Sequence, residues 1–182
     1  MDYDYDVVIV GAGPVGGYAS RLLCERGLSV LMIEEHTEIG RPFQCAGLVT
    51  PSAMHAVEAY GTVVQDVDGA LIHGPSGTLV PVGKDGDLRT YVVCRKRFDQ
   101  EVVQQGLKAG ADIVLESQPT DAVIHPDGVL VTIKNQRTNK ERQVSCKLFI
   151  GCDGAHSWVR RKFKMGHPKE MMIGFQTEVV GY

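Results

Sequence analysis

The sequence predicts an α/β fold built on a parallel sheet, and three observations predict it. Val7-Val8-Ile9-Val10 is an unbroken run of branched apolar residues, the pattern of a strand buried on both faces. That run ends in a turn whose glycines, Gly11, Gly13 and Gly16, fit G-x-G-x-x-G and lead into a helical pattern. A second apolar run, Ser29-Val30-Leu31-Met32-Ile33, then ends in an acid, Glu34. Strand, glycine turn, helix, strand and acid in this order describe the first half of a dinucleotide site.

Each glycine of the turn has a physical task. Gly11 permits a tight turn that a Cβ would obstruct, and Gly13 lets a pyrophosphate approach the backbone. Gly16 lets the helix pack closely on the strand. The helix is predicted to begin near Pro14, a residue tolerated in a first turn, with Val15, Ala19, Leu22 and Leu23 on one face. Gly27 is its stop. The N-terminal N–H groups and the helix dipole would face the phosphates. The bland alternative is a glycine-rich turn in another kind of α/β domain.

After Glu34 the periodicity breaks, and residues 36–50 read as a long loop centred on Arg41-Pro42-Phe43-Gln44-Cys45-Ala46-Gly47. Residues 51–61 read as a short helix stopped by Gly61. Between 62 and 93 short apolar groups are separated by Asp, Gly, Pro and Ser, with a turn at Pro75-Ser76-Gly77. This predicts an inserted antiparallel hairpin, either a sheet facing a ligand or a solvent-exposed excursion. Arg89–Cys94 reads as a strand returning to the core. Phe98, Val102, Val103 and Leu107 predict a helix with Asp99 near its start and Gly110 at its stop.

Asp112–Glu116 is the next predicted strand. Residues 122–124, 129–133 and 144–147 predict a three-stranded meander with turns at Pro126-Asp127-Gly128 and Thr138-Asn139-Lys140. Leu148–Cys152 reads as a further buried strand, ending at Asp153-Gly154-Ala155-His156-Ser157-Trp158-Val159-Arg160. A last strand is predicted from Ile173 to Val180. The pattern stops there without a closing helix, which predicts a fragment of a larger architecture.

A length of 182 residues suffices for a sizeable core, and a net charge of −3 argues against a general nucleic-acid binder. The clusters Arg95-Lys96-Arg97 and Arg160-Arg161-Lys162 either meet phosphates or stay solvated. Five cysteines, an odd number without a C-x-x-C pair, favour free thiols in a reducing compartment. Neither they nor the six histidines are spaced as zinc ligands, so no metal site is expected. Asp2, Asp4 and Asp6 stand where a signal peptide would be basic, and no apolar run approaches the roughly 18 residues of a membrane span. The expectation is a soluble cytoplasmic protein, with peripheral membrane contact and oligomeric state left open.

Three separated motifs carry a resemblance. Gly11-x-Gly13-x-x-Gly16 with Glu34, Arg95-x-x-Phe98-Asp99 and Asp153-Gly154-x-x-Ser157-x-x-Arg160 resemble, in that order, the flavoproteins that include p-hydroxybenzoate hydroxylase and the geranylgeranyl reductases. The resemblance implies a Rossmann-like FAD-binding domain with a parallel sheet and a crossover β-meander. It divides the chain into a discontinuous FAD-binding unit, 1–62 and 88–162, and part of a substrate-binding sheet, 63–87 and 171–182. The implied cofactor is FAD. Gly11, Gly13, Pro14, Val15 and Gly16 would line the pyrophosphate turn, and Glu34 and Glu35 the adenosine ribose. A carboxylate is acceptor-only and suits hydroxyl donors. Arg95 would point to the nucleotide half of FAD, its planar fork suited to phosphate or ribose oxygens. Asp153 and Gly154 would sit near the pyrophosphate and ribityl chain. Ser157 and Arg160 would brace that turn, with Ser157 equally a plain N-cap. His156 reads as a turn residue and Trp158 as core or interface.

The Arg41–Gly47 loop is similar to the segment that carries a Cys-x-Gly beside the flavin ring in geranylgeranyl reductases, which places Arg41, Cys45, Ala46 and Gly47 in the site. In such enzymes reduced FAD delivers a hydride to an isolated prenyl double bond and a proton completes the saturation. Cys45 is the candidate catalytic residue, as proton source or ring-packing group. A buried structural cysteine is the alternative. The family's later Gly-Asp motif has no counterpart; Asp85-Gly86-Asp87 falls in the predicted insert. The expected function is FAD-dependent reduction of a prenyl or other apolar small molecule, with NAD(P)H or another reductant as electron donor. The alternatives are a flavin monooxygenase acting on an aromatic or small substrate and a non-catalytic nucleotide-binding module.

Overall fold

A computed structural model describes residues 3–42, 45–83, 87, 89–174 and 177. In chain order its elements are β1 (Tyr5–Val10), α1 (Pro14–Cys24), β2 (Val30–Ile33), β3 (Leu48–Val49), α2 (Pro51–Val57), a 3-10 turn (Tyr60–Thr62), β4 (Val63–Val67), β5 (Gly69–His73) and β6 (Leu79–Gly83). They continue with β7 (Thr90–Val93), α3 (Arg95–Lys108), β8 (Asp112–Val114), β9 (Ser117–His125), β10 (Gly128–Asn135), β11 (Glu141–Gly151) and α4 (Trp158–Lys162).

Six strands form the main sheet in the order β8-β2-β1-β11-β10-β9. Its first four strands run parallel and its last three form the antiparallel meander, with β11 belonging to both. The burial of β1 explains its uninterrupted apolar run. Val7 and Ile9 face one core with Met32, Val103 and Ala111, against which Ala19 and Leu23 of α1 pack. Val8 and Val10 face the opposite core with Leu31, Ile33, Val131 and Val144, joined by Val159 of α4. Neither face meets solvent, so alternation with polar residues has no place there. A third cluster joins Met54 and Val57 of α2 to Val93, Phe98 and Val102.

The turn after β1 forms as expected. α1 begins at Pro14 with Gly13 as its N-cap, and Gly27 adopts a φ of +80° after its end. The turn before β11 places Asn139 at φ +56°, a conformation its short polar side chain tolerates.

Several boundaries differ from expectation. The strands predicted at 144–147 and 148–152 are one strand, β11. Its first half pairs antiparallel with β10 and its second half parallel with β1, the partners overlapping at Cys146. The loop at 36–50 contains β3, which pairs with β7 through Leu48 and Val49. The helix from Pro51 ends at Val57 rather than Gly61, because Glu58 closes it in the left-handed region at φ +54°. The insert comprises β4, which pairs with β7, and a separate β5–β6 hairpin turning through Gly74–Thr78. β8 stops at Val114, and Glu116 takes a φ of +50°. Ile173 and Gly174 carry no regular structure. Most of the strand predicted from 173 to 180, Phe43 and Gln44 of the loop, and Asp85-Gly86 lie outside the described residues.

Candidate functional site

The first βα turn and the turn after β11 meet at the C-terminal edge of the parallel strands. A Cβ built on Gly11 would stand 2.5 Å from the carbonyl oxygen of Cys152, and Gly11 has a φ of +93°. The backbone there is therefore restricted to glycine twice, by space and by conformation. A Cβ on Gly16 would come within 2.0 Å of the Gly11 carbonyl oxygen, so Gly16 seats α1 against the turn. Gly13 is different: a Cβ there would meet nothing within 4 Å. The three glycines thus divide into two that pack and one that leaves a space open beside the start of α1.

That space belongs to a groove of about 430 Å³. Gly11, Ala12 and Gly13 line it from the first turn, and Cys152 and Asp153 from the second. Glu34, Glu35 and His36 form the wall beyond β2, Ser117–Pro119 of β9 lie opposite, and Glu38, Arg41 and Asp99 line the side toward α3. The first-turn N–H groups of a helix have no partner within the helix, and α1 presents that end beside Gly13. The open cradle at Gly13, an unpaired helix start and a buried acid beyond β2 fit an adenine dinucleotide lying extended between the two turns.

Glu34 is 8% exposed and already hydrogen-bonded. Its Oε2 accepts the Ala12 N–H at 2.9 Å. Its Oε1 accepts the His36 backbone N–H at 3.0 Å and lies 2.6 Å from His36 Nδ1. Asp153 accepts the Val159 N–H at 3.0 Å on Oδ2, tying the second turn to α4. Ser157 is the N-cap of α4, its Oγ accepting the Arg160 N–H at 2.9 Å. Arg160 bonds to the Gly166 carbonyl at 3.1 Å and so braces the segment behind the turn. Gly154 adopts a φ of +71° in open surroundings.

Arg95 opens α3 and forms a two-pronged pair with Asp99, Nε to Oδ1 at 3.0 Å and Nη2 to Oδ2 at 3.1 Å. Asp99 lines the groove; Arg95 stands behind it. Burial raises the Asp99 carboxyl pKa against the opposing pull of Arg95. Burial works to lower the Arg95 pKa, but Asp99 and then Cys45 outweigh it, so the guanidinium is held charged. Cys45 is half-buried beside Arg95, Ala46 is exposed, and Gly47 is buried with a φ of +79°. A Cβ on Gly47 would meet the Val93 carbonyl oxygen at 2.3 Å, and the Val93 N–H donates to the Gly47 carbonyl at 2.8 Å. The Cys-x-Gly segment is thereby fastened to β7, just ahead of Arg95.

Of the sequence-predicted site residues, Gly11, Gly13, Glu34, Glu35, Arg41 and Asp153 line this groove. Pro14, Val15 and Gly16 form the helix start beside it, while Cys45, Ala46, Gly47, Arg95 and Gly154 lie outside its lining. His36, Glu38, Asp99, Cys152 and Ser117–Pro119 line it without having been singled out for it. Asp99 had a signal in the Arg-x-x-Phe-Asp motif. A lone histidine after a strand has none. His156 and Trp158 also line the groove, and Trp158 packs on the core below. Burial, and then Asp153, raise the Cys152 thiol pKa, so it faces the groove protonated. All five cysteines are free thiols. Among the described residues, no group of three or more His, Cys, Asp or Glu side chains is placed to hold a metal ion.

Comparison with known proteins identifies the family. The family described as "FAD binding domain" matches residues 4–179. A digeranylgeranylglycerophospholipid reductase of Methanosarcina acetivorans is 35% identical over 161 residues, 86% of this chain and 39% of that protein. Digeranylgeranylglycerophospholipid reductase 2 of Methanococcoides burtonii is 37% identical over 165 residues, 88% of this chain and 40% of that protein. The chain therefore spans about 40% of the length of these curated relatives. Among solved structures, a geranylgeranyl bacteriochlorophyll reductase-like protein of Thermoplasma acidophilum superimposes with a TM-score of 0.74 at 31% identity, covering 83% of this chain and 39% of that one. A flavin-dependent monooxygenase solved with FAD and substrate gives a TM-score of 0.76 at 17% identity, covering 90% of this chain and 33% of that one, a likeness of fold alone.

Proposed function

The chain belongs to the FAD-binding-domain family, and from that premise we propose that it is the cofactor-binding portion of a flavin-dependent reductase of prenyl carbon–carbon double bonds in isoprenoid lipids. FAD is its cofactor. The single observation that carries the cofactor placement is the shared groove in which the Gly11–Gly13 turn meets Asp153. Relatives named as digeranylgeranylglycerophospholipid reductases, 35% and 37% identical, support the choice of reaction.

In this reading the start of α1, at Pro14, Val15 and Gly16, faces the pyrophosphate across the open position of Gly13. Glu34 and Glu35 meet the adenosine ribose, and Asp153 and Gly154 the pyrophosphate and ribityl side. Asp99, clamped by Arg95, orders the middle of the groove. Arg41, Cys45, Ala46 and Gly47 lie toward the flavin ring. Bound in its reduced form, FAD supplies the hydride. An unactivated alkene offers no developing oxyanion, so the chain's own task is to position, to exclude water and to provide a proton. Cys45 supplies that proton, and Arg95 beside it holds the thiol in place. The exposed apolar side chains of Leu71, Ile72, Leu79, Val80 and Val82 support assigning residues 63–87, with 171–182, to a substrate-facing sheet.

Among the described residues no helix is long and apolar enough to cross a membrane. A prenyl lipid nevertheless resides in one, so the proposal includes a peripheral contact on the cytoplasmic side. NAD(P)H or another reductant donates the electrons. The test is turnover by the complete protein that carries this chain, with a prenyl lipid and reduced flavin. Loss of alkene without oxygen uptake supports the reading. Hydroxylation coupled to NAD(P)H would make it a monooxygenase instead, and a protein purified without flavin that binds none would make it a bare module.

A further inference from the structure

We propose that His36 is a positioning residue for the adenosine end of the groove, saturating one oxygen of Glu34 so that the other alone receives a single ribose hydroxyl. The inference rests on the reading that Glu34 meets the ribose, and it revises how Glu34 does so. An ionised carboxylate accepts at about four lone-pair positions and donates at none. On Oε1 both positions are taken, by the His36 backbone N–H at 3.0 Å and by the ring at 2.6 Å. On Oε2 one is taken, by the Ala12 N–H at 2.9 Å. One acceptor position remains, on the oxygen that also holds the first βα turn. The two ribose hydroxyls therefore cannot both bond fully to Glu34.

The ring contact assigns a tautomer. Because the carboxylate only accepts, His36 Nδ1 must carry the hydrogen. The His36 side chain is 45% exposed and that of Glu34 only 11%, and both residues line the groove. The His36 carbonyl accepts the Glu116 N–H at 3.1 Å, and the Glu34 carbonyl accepts the Ser117 N–H at 2.9 Å. The segment bearing both side chains is thus pinned to the start of β9, and its backbone does not depend on the ring. Removing the imidazole leaves Oε1 with the His36 backbone N–H alone, so the carboxylate is held less firmly against the Ala12 N–H.

The experiment titrates FAD, ADP and 2′,3′-dideoxy-ADP into the flavin-stripped complete protein, as wild type, His36→Ala and His36→Asn. Loss of one charge-assisted hydrogen bond predicts that His36→Ala weakens FAD and ADP on the order of tenfold. His36→Asn, whose amide N–H replaces Nδ1–H, recovers most of that loss. Wild type and His36→Ala bind the dideoxy probe equally, because no hydroxyl remains to be oriented. An equal loss with ADP and with the dideoxy probe makes His36 merely structural and overturns the proposal, as does wild-type FAD affinity in His36→Ala. If the wild type itself does not distinguish ADP from the dideoxy probe, the assignment of Glu34 to the ribose falls and takes this inference with it. If the wild type distinguishes them and His36→Ala does so equally well, only the inference falls.

Discussion

The carbonyl oxygen of Cys152 lies 2.5 Å from where a Cβ on Gly11 would stand, so the turn after β1 and the turn after β11 touch through backbone. Gly13, two residues on, faces open space. The two glycines should therefore fail differently. Gly11→Ala combines an unfavourable φ with overpacking and should destabilise the fold by about 2 to 5 kcal/mol. Gly13 has an extended backbone, φ −78° and ψ −172°, that any residue can adopt. Gly13→Val should keep near-wild-type thermal stability and lose FAD. Urea denaturation and flavin content, measured on both variants, separate the two effects.

Helix packing beneath the site makes a second test. A Cβ on Gly106 of α3 would come within 2.1 Å of Ser20 Oγ and 3.1 Å of the Gly17 carbonyl oxygen on α1. Ser20 is fully buried and its hydroxyl donates to the Gly17 carbonyl at 2.8 Å, so it has nowhere to turn without losing that bond. Alanine is favoured over glycine in a helix by about 1 kcal/mol, but overpacking costs about 1 to 3 kcal/mol. Gly106→Ala should therefore be net destabilising in the wild type. In a Ser20→Ala background the closest contact is gone, and the same substitution should become neutral or stabilising. A double-mutant cycle of unfolding free energies measures the coupling.

Acid sensitivity should trace to the N-terminal end of β1. Asp6 accepts from Lys147 Nζ at 2.7 Å and from the Ser29 N–H and hydroxyl at 2.8 and 2.9 Å. The Lys147 contact first, then Ser29, hold its carboxyl at about 2 against an ordinary 3.8. A carboxyl depressed in the folded state stabilises above its unfolded pKa, and that contribution disappears as pH falls from 3.8 toward 2. Asp4, lowered by Ser145, acts in the same sense. Asp6→Asn should be less stable than wild type at neutral pH, and the difference should fade as pH falls through about 2. Thermal melts across that range check the crossing, and added salt should shrink the difference.

Cys45 provides a test of the chemistry apart from binding. Fastened through Gly47 to β7, it lies outside the groove lining, so Cys45→Ala should retain FAD. If the thiol supplies the proton, turnover of the prenyl substrate should fall by roughly 100-fold, the lower end of general-acid effects. Unchanged turnover with full flavin content would make Cys45 a packing residue.

The parallel core was legible because burial on both faces writes an unbroken branched run, as in Val7–Val10, and because close backbone packing demands glycine at Gly11 and Gly16, with Gly13 open between them. β11 was read as two strands because its partner changes near Cys146. Its first half opens with exposed polar residues and pairs antiparallel with β10, while its second half is the apolar run Leu148-Phe149-Ile150 paired parallel with β1, so one strand shows two patterns. The left-handed Glu58 had no signal, since that conformation usually selects glycine and Gly61 offered a more conventional stop. Within the site, Glu34 followed from its distance to the glycine turn. The acceptor count on Glu34 did not, because it depends on where His36 and the Ala12 N–H fall in space.

The central claim is that one dinucleotide lies between the Gly11–Gly13 turn and Asp153. The most direct measurement is the absorbance spectrum and FAD titration of the complete protein, wild type beside Gly13→Val. The account predicts a bound flavin released as FAD from the wild type, saturable rebinding competed by ADP, and neither in a folded Gly13→Val. Equal FAD content in the two proteins would contradict it.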